Sequence, residues 1–321
     1  MEFAFAGVGL IILLLAGDLL VRGAVNTALR LGIPALIVSL TIVAFGTSAP
    51  ELLIAIAAIE DNAPGLALGN VVGSNTANIL LVLGVPALIA GLATSHCDTR
   101  KSYLAMIGVS FLFVAGAFMG PITWVHGLVF LAVLGLILGD QAWQAMAHRR
   151  AAEGAAAGEE EEIEGVDPEM RWWKISVFLI LGMIGLPLGA DILVDSSLVI
   201  AKRFGISDAV IGLTLVAIGT SLPELATTVM AAIRKQADVA LGNVIGSNMF
   251  NLLAIIGIAS LFGNIPVADE FLEFDLWVML GASLILAPFV FSRSMDMNRF
   301  WGFALTALYC GYIFHLVEHY G

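Results

Sequence analysis

Two short motifs each occur twice in this 321-residue chain, at the same separation. "GTSAPEL" at 46–52 returns as "GTSLPEL" at 219–225, and "LGNVVGSNTAN" at 68–78 returns as "LGNVIGSNMFN" at 241–251, both 173 residues later. An ungapped overlay of 35 positions across the two motifs gives 17 identities. Self-similarity at one fixed offset indicates that the chain consists of two homologous halves.

The composition is typical of a membrane protein. Hydrophobic residues make up 60% of the chain and charged residues 12%, whereas soluble domains contain about 25% charged residues. A membrane-spanning helix needs about 20 apolar residues. Candidate spans lie at 3–21, 33–59, 64–93, 103–119, 123–145, 172–200, 206–233, 237–262, 272–291 and 300–317. We therefore predict an all-α integral membrane protein with ten transmembrane helices.

Each half carries five predicted helices, an odd number, so the second half enters the membrane from the opposite side and the repeats are inverted. Inverted repeats are typical of secondary transporters, in which broken helices meet near the bilayer midplane and form the substrate site. We predict a first repeat at 1–145 with motif helices at 33–93. An acidic cytoplasmic linker is predicted at 146–171. The second repeat is predicted at 172–321, with motif helices at 206–262.

The positions of the basic residues predict the orientation. With the N-terminus outside, twelve of the fourteen Lys and Arg residues fall on the inner side, and only Lys202 and Arg203 fall on the outer side. Cytoplasmic loops are enriched in Lys and Arg, so both termini are predicted to lie outside a plasma (inner) membrane. The net charge of −12 predicts no nucleic-acid partner, and no obligate protein partner is implied. The Glu-rich tract at 159–164 is interpreted as a solvated linker, with a cytosolic ion sensor as the alternative.

The first motif places a proline and a carboxylate inside an apolar span. Pro50 and Pro223 each remove a backbone donor and clash with the carbonyl four residues earlier. The helix is therefore predicted to unwind and to free carbonyls such as those of Ala44 and Ala217, which lipid cannot satisfy. Further oxygens at the same depth come from Thr47, Ser48 and Glu51, and from Thr220, Ser221 and Glu224.

The same residues also fit a structural alternative. Ser48 with Glu51, and Ser221 with Glu224, have the S-x-x-E spacing of a helix capping box. An acidic residue at the centre of a membrane helix costs about 2.5 to 3.5 kcal/mol on insertion scales and typically marks an ion or proton pathway. Two such residues at equivalent positions favour ion binding, with which capping by the serines is compatible.

The second motif places Asn70, Ser74 and Asn78 on one helix face, at i, i+4 and i+8, and the second half repeats this polar stripe. Its G-x-x-x-G spacing favours close helix packing. The residues expected to reach an ion are Ser74, Asn78, Ser247 and Asn251. The residues expected mainly to hold the broken segments together are Asn70, Asn75, Asn243 and Asn248.

The doubled motifs resemble the paired alpha repeats of the cation/calcium exchanger superfamily, and most closely those of compact prokaryotic sodium/calcium exchangers. The resemblance implies an antiporter, not an enzyme, that exchanges sodium for calcium by alternating access and uses no cofactor besides the transported Na⁺ and Ca²⁺. It implies a central calcium site formed by Glu51, Glu224, Thr47 and Thr220 and completed by Asn78 and Asn251. It implies flanking sodium sites formed by Ala44, Ala217, Ser48, Ser74, Ser221 and Ser247.

The resemblance also implies details of the exchange cycle. Exchange of three sodium ions for one calcium ion leaves one uncompensated charge and makes transport sensitive to voltage. Asn251 stands where some members, including potassium-dependent ones, carry Asp, which argues against potassium co-transport. The first and sixth helices are expected to move against the motif core. Asp18 and Asp191 are candidates for gating, although Asp18 also has Arg22 one turn away and fits ordinary interfacial stabilisation.

Three alternatives remain open at the level of sequence. The nearest is proton-coupled exchange of calcium or another cation on the same scaffold, in which Glu51 and Glu224 alternate between protons and calcium. A cation channel with the paired glutamates as a selectivity filter is a second alternative. A receptor or assembly protein that uses the G-x-x-x-G faces is a third, but it leaves the buried carboxylates without a role.

Overall fold

The structure is a computed structural model, and it describes residues 2–154, 167, 170–203 and 217–320. Within these ranges the chain is helical, with short connections and two isolated antiparallel bridges, Leu92 with Met297 and Ile122 with Ile265. The helices of the first half are α1 (Glu2–Leu31), α2 (Ala35–Thr47), α3 (Ala49–Glu60), α4 (Pro64–Ala90), α5 (Arg100–Phe118) and α6 (Trp124–Gly154). Those of the second half are α7 (Trp172–Arg203), α8 (Ala217–Thr220), α9 (Leu222–Ile233), α10 (Ala237–Phe262), α11 (Phe271–Phe291) and α12 (Arg299–Tyr320).

The described helices confirm an all-α membrane protein. Eight of them are long and apolar enough to cross a membrane, and the bent pair α2 and α3 adds a ninth candidate. The remaining predicted span, at 206–233, lies partly outside the described ranges and is represented by α8 and α9. The Glu-rich tract at 159–164 also lies outside them. Helix α6 continues into the segment predicted as a linker from residue 146, since its alanines favour helix.

The predicted end of the first helix was wrong. The apolar pattern predicts a membrane span near 3–21, whereas α1 continues to Leu31. Asp18 and Arg22 lie 3.4 Å apart on α1, and Asp18 also forms an ion pair with Arg234 at the end of α9. Because these charges are paired with one another, they do not end the helix.

The motif helices are broken, as predicted. A bend of 42° separates α2 from α3 at Ser48, and Ser221 separates α8 from α9. Pro50 and Pro223 lie in the first turn of α3 and α9, where the missing backbone N–H is tolerated. Each proline is therefore the second residue of a new helix segment that begins directly after a serine.

The helices that carry the second motif are irregular directly after their last asparagine. In α4, the Val82 N–H donates to the carbonyl of Ala77, five residues back. In α10, Asn251–Ile255 forms a π-helical turn. Single π-turns of this kind often occur at functional sites.

Helices α4 and α10 occupy the centre of the protein, and α1 and α7 lie at its edge. Buried residues make up 78% and 89% of the most apolar windows of α4 and α10, but only 33% and 22% of those of α1 and α7. Helices α1 and α7 pack along each other at glycines that allow close approach. A Cβ atom on Gly9 would lie 2.7 Å from the backbone nitrogen of Leu193, and one on Gly189 would lie 2.8 Å from that of Leu13.

The two halves are not packed in the same way. Helix α1 packs along α9, where a Cβ atom on Gly17 would lie 3.0 Å from the carbonyl of Ala226. By the sequence repeat, the equivalent contact would join α7 and α3. In the described part of the chain, these two helices hardly touch. Among the described residues, helix packing therefore covers one side of the motif core more closely than the equivalent opposite side.

The glycine contact between α1 and α7 gives a stability prediction. We expect Gly9→Ala to lower the thermal unfolding temperature of the detergent-solubilised protein, because the methyl group meets the α7 backbone and overpacking costs about 1 to 3 kcal/mol. Gly7→Ala is the matched control, since no atom lies within 4 Å of its Cβ position. Equal unfolding temperatures for the two variants would contradict the close helix contact.

Candidate ion-binding site

Two buried carboxylates lie at the breaks of the first-motif helices. Glu51 is in the first turn of α3 and Glu224 is in the first turn of α9, and each is 1% exposed. The partial positive charge of a helix N-terminus favours a carboxylate at this position. The two carboxyl groups interact electrostatically, and the Ser48 hydroxyl donates to Glu224 Oε1 at 3.1 Å. Ser48, three residues before Glu51 in the first half, thus contacts the carboxylate of the second half.

The serines do not form capping boxes. Ser48 and Ser221 occupy the N-cap positions of α3 and α9, but neither makes a side-chain capping hydrogen bond. Ser48 donates to Glu224 instead, and the Ser221 hydroxyl has no hydrogen-bond partner among the described residues. The structural alternative for these residues is therefore not the arrangement that the protein adopts.

Oxygen atoms without partners are concentrated at the predicted site residues. Thirteen buried side-chain nitrogen and oxygen atoms of the described residues lack a hydrogen-bond partner, and seven of them are oxygens of predicted ligands. These seven are Glu51 Oε2, Glu224 Oε2, Ser74 Oγ, Asn78 Oδ1, Ser221 Oγ, Ser247 Oγ and Asn251 Oδ1. Each such atom costs about 1 to 3 kcal/mol if it stays unpaired. Carboxylate, amide and hydroxyl oxygens are the ligands that hard cations prefer, so the donor set fits a cation.

These oxygens lie on helix segments that pack on one another. Helix α4 contacts α3, α8 and α10, while α10 also contacts α2, α3 and α9. Their residues are almost fully buried: Thr47, Ser74, Asn78, Ser221, Ser247 and Asn251 are each 1% exposed or less. Thr220 is half-buried in α8, directly before the break. The motif segments thus bring the polar side chains of both halves into one buried region.

The expectation that the break frees the Ala44 carbonyl was wrong. This carbonyl accepts the Ser48 N–H at 3.0 Å, and the Thr47 hydroxyl lies 3.2 Å from it. Pro50 has no N–H to bond to the Gly46 carbonyl. The helical hydrogen bond from Ser48 to Ala44 lies before this gap and therefore stays intact. In the second half, the Ser221 N–H donates to Ile218 at 3.0 Å, one residue closer than Ala217. The two breaks therefore differ in their backbone hydrogen bonds.

The expected structural role of Asn75 and Asn248 is confirmed. Asn75 donates to the backbone carbonyl of Asn248 at 3.2 Å, and Asn248 donates to that of Asn75 at 3.3 Å. Asn78 donates to Asn248 Oδ1 at 2.9 Å, which leaves its own Oδ1 without a partner. Asn243 also bonds to neighbouring segments, whereas Nδ2 of Asn70 has no partner among the described residues.

One residue near the site was not anticipated from the sequence. The Thr228 hydroxyl donates to the Glu224 carbonyl at 2.7 Å and accepts a hydrogen bond from Asn243 at 3.2 Å. The only sequence signal for this role is a break in the repeat, because the equivalent residue of the first half is Ala55.

Comparison with known proteins identifies the family. The family model described as "Sodium/calcium exchanger protein" matches residues 1–142 and 174–317. The chain belongs to the sodium/calcium exchanger family. Its members are transporters, and the resemblance of the doubled motifs is thereby confirmed. Sodium/calcium exchanger MaX1 of Methanosarcina acetivorans is 32% identical, over 97% of each chain. Putative antiporter CaxA of Alkalimonas amylolytica is 34% identical, over 96% of each chain.

The fold of this exchanger is also found in solved structures. The sodium-calcium exchanger NCX_Mj, in crystals soaked without Na⁺ and Ca²⁺, superimposes with a TM-score of 0.79 at 32% identity, covering 98% of each chain. The helices of this family member are thus arranged over nearly their whole length as in an exchanger studied for extracellular ion exchange and binding-site occlusion.

The asparagines of the site give a prediction that separates structural from ligand positions. Asn248→Ala removes hydrogen bonds to Asn75 and Asn78 and should lower the free energy of unfolding by about 1 to 3 kcal/mol. Asn251→Ala, also fully buried, removes no side-chain hydrogen bond of the described residues and should change stability much less. Thermal unfolding of both variants in detergent, without added ions, measures the difference. An equal loss of stability would contradict the assignment.

Proposed function

We propose that this exchanger is a secondary active antiporter that exchanges sodium for calcium by alternating access. The observation that carries the proposal is the concentration of buried, unpartnered oxygens on the motif helices, with Glu51 and Glu224 among them. Calcium takes 6 to 8 oxygen ligands at about 2.3 to 2.6 Å. Two ionised glutamates balance its charge, so a bound calcium ion removes the repulsion between them.

The proposed division of ligands follows the two motifs. Calcium is held by Glu51, Glu224, Thr47, Thr220, Asn78 and Asn251. Sodium ions are held on either side by Ser48, Ser74, Ser221, Ser247 and the carbonyls of Ala44 and Ala217. The Ala44 carbonyl accepts the Ser48 N–H, and the Thr47 hydroxyl lies beside it. A sodium ion that binds this carbonyl takes the place of the Thr47 hydroxyl and leaves the backbone hydrogen bond intact. Exchange of three sodium ions for one calcium ion moves one net charge and responds to voltage.

Named relatives support sodium and calcium as the transported ions. MaX1 is named a sodium/calcium exchanger, and crystals of NCX_Mj were soaked with combinations of Na⁺, Ca²⁺ and Sr²⁺. These relatives match more than nine-tenths of the chain. We infer the same ions for this exchanger, together with the inverted ten-helix plan in which Glu51 and Glu224 meet near the bilayer midplane.

The proposed motion is that of α1 and α7 against the motif core. Helix α1 packs along α9, and Asp18 forms an ion pair with Arg234 at the end of that helix. The equivalent of Arg234 in the first half is Asp61, which has the wrong charge to pair with Asp191. In the predicted orientation the ion pair lies on the cytoplasmic side. We propose that the structure is closed on that side and open outward.

Proton-coupled calcium exchange is the second candidate. The Ca(2+)/H(+) antiporter ChaA of Bacillus subtilis is 25% identical, over 82% of this chain and 78% of its own. On this alternative, Glu51 and Glu224 exchange protons for calcium, and the serines have no sodium to bind.

Reconstitution into liposomes tests the coupling ion. We expect calcium uptake to require an outward sodium gradient and to change with membrane potential. Potassium and proton gradients, imposed separately without sodium, should drive no uptake. Uptake that follows a proton gradient without sodium would contradict sodium coupling and would favour the second candidate.

The same assay tests the two carboxylates. Glu51→Gln and Glu224→Gln each remove one of the two charges that balance calcium, and each should abolish sodium-driven calcium uptake. Amide and carboxylate are similar in size, so the detergent-solubilised variants should remain folded and elute as the parent protein does. Near-normal uptake by either folded variant would refute the coordination scheme.

The ion pair on α1 gives a prediction about sidedness. Asp18→Asn removes the partner of Arg234, weakens the outward-open state and lowers the apparent affinity for outside calcium. We expect the KM measured from the outer side, in vesicles of uniform orientation, to rise by up to about fivefold for loss of roughly 1 kcal/mol. Asp191→Asn is the control, because Asp191 is exposed and has no ion pair among the described residues. Equal effects of the two changes would contradict the gating role.

A further inference from the structure

The two glutamates of the site are held differently. Glu224 is fixed through both its carboxylate and its backbone. Ser48 donates to its Oε1 at 3.1 Å. The Thr228 hydroxyl donates to its carbonyl at 2.7 Å, and Asn243 Nδ2 lies 3.4 Å from the same carbonyl. Asn243 also donates to the Thr228 hydroxyl at 3.2 Å, so these contacts form one connected network.

Glu51 has none of these equivalent contacts among the described residues. The serine equivalent to Ser48 is Ser221, whose hydroxyl lacks a partner. The equivalent of Thr228 is Ala55, which has no hydroxyl. The equivalent of Asn243 is Asn70, whose Nδ2 also lacks a partner. Three differences thus point the same way, although Glu51 and Glu224 are equally buried.

The network also reaches the other half of the protein. Asn243 Oδ1 lies 3.3 Å from the hydroxyl of Thr47, one of the proposed calcium ligands. Asn243 and Thr228 are both completely buried, so water does not compete for these hydrogen bonds. A buried network whose members are paired with one another restricts the motion of the groups it joins.

We propose that Thr228 and Asn243 are positioning residues that hold Glu224 as the stationary ligand of the site, and that Glu51 is the carboxylate that moves when an ion binds or leaves. The proposal rests on the proposed function, because it assigns different tasks to the two proposed ligands. Thr228 acts through the Glu224 backbone and does not itself touch the ion. A fixed ligand lowers the ordering cost of binding, whereas an unfixed partner lets the site open.

Adjacent threonines provide a matched pair of variants. Thr228→Val removes the hydroxyl that joins Glu224 to Asn243. Thr227→Val removes the neighbouring hydroxyl, which is equally buried and donates to the Pro223 carbonyl at 2.8 Å. Both changes delete one hydrogen bond to a carbonyl four residues earlier in α9. Only the first disturbs the network, so a general effect on helix stability appears in both variants.

The experiment is sodium-driven calcium uptake into liposomes by the full chain, with KM and maximal rate measured separately. We expect Thr228→Val to raise the calcium KM about tenfold, as for one buried hydrogen bond, with less than a twofold change in maximal rate. Thr228→Ser, which keeps the hydroxyl, should restore the KM to within about twofold, and Thr227→Val should leave it unchanged.

The outcomes separate this proposal from the proposed function. An unchanged calcium KM in Thr228→Val, or an equal rise in Thr227→Val, overturns the positioning role even though the parent protein exchanges sodium for calcium. If the parent protein shows no sodium-driven uptake, the proposed function fails first. Loss of folded Thr228→Val without recovery in Thr228→Ser also overturns the proposal, since the serine variant retains the hydrogen bond.

Discussion

Two buried carboxylates that interact electrostatically are the constraint on which the rest of this structure depends. Removing one ionised group from water costs several kcal/mol, and repulsion between two like charges raises that cost further. The chain offers Glu51 and Glu224 the N-terminal ends of two helix segments and a hydroxyl from Ser48. These interactions do not neutralise the charge. A cation bound to both groups would do so, and the unpartnered oxygens around the helix breaks fit such an ion.

Much of this arrangement was predictable because it follows from local chemistry. Proline cannot continue a helical ladder, so Pro50 and Pro223 located the breaks. The repeat then paired each predicted ligand with its equivalent, and the buried oxygens of Ser74 and Asn251 are without partners as a ligand role requires. The coarse fold followed from apolar length, since a membrane span must be helical or part of a closed barrel.

Features that depend on contacts between distant segments were not predictable. The end of α1 was placed too early because its charges are satisfied by Arg234, more than two hundred residues away. The Ala44 carbonyl is not free as expected, because the helical hydrogen bonds continue up to Ser48, whose N–H bonds to it. The repeat does not predict the network of Thr228 and Asn243, because the first half has Ala55 at the position equivalent to Thr228. The ten-helix count, the inverted topology and the membrane orientation stay predictions from the sequence.

Our central proposal is that a single calcium ion is held jointly by the carboxylates of the two halves. Anomalous X-ray diffraction from crystals soaked with Ca²⁺ or with Sr²⁺, a heavier alkaline-earth ion, tests it most directly. The account predicts one main peak between Glu51 and Glu224, with oxygens of both carboxylates within about 2.3 to 2.6 Å for calcium. The peak should weaken as sodium replaces calcium in the soak. Calcium bound by only one of the two carboxylates would contradict the proposal. So would a calcium peak distant from both carboxylates while this site stays empty at saturating calcium.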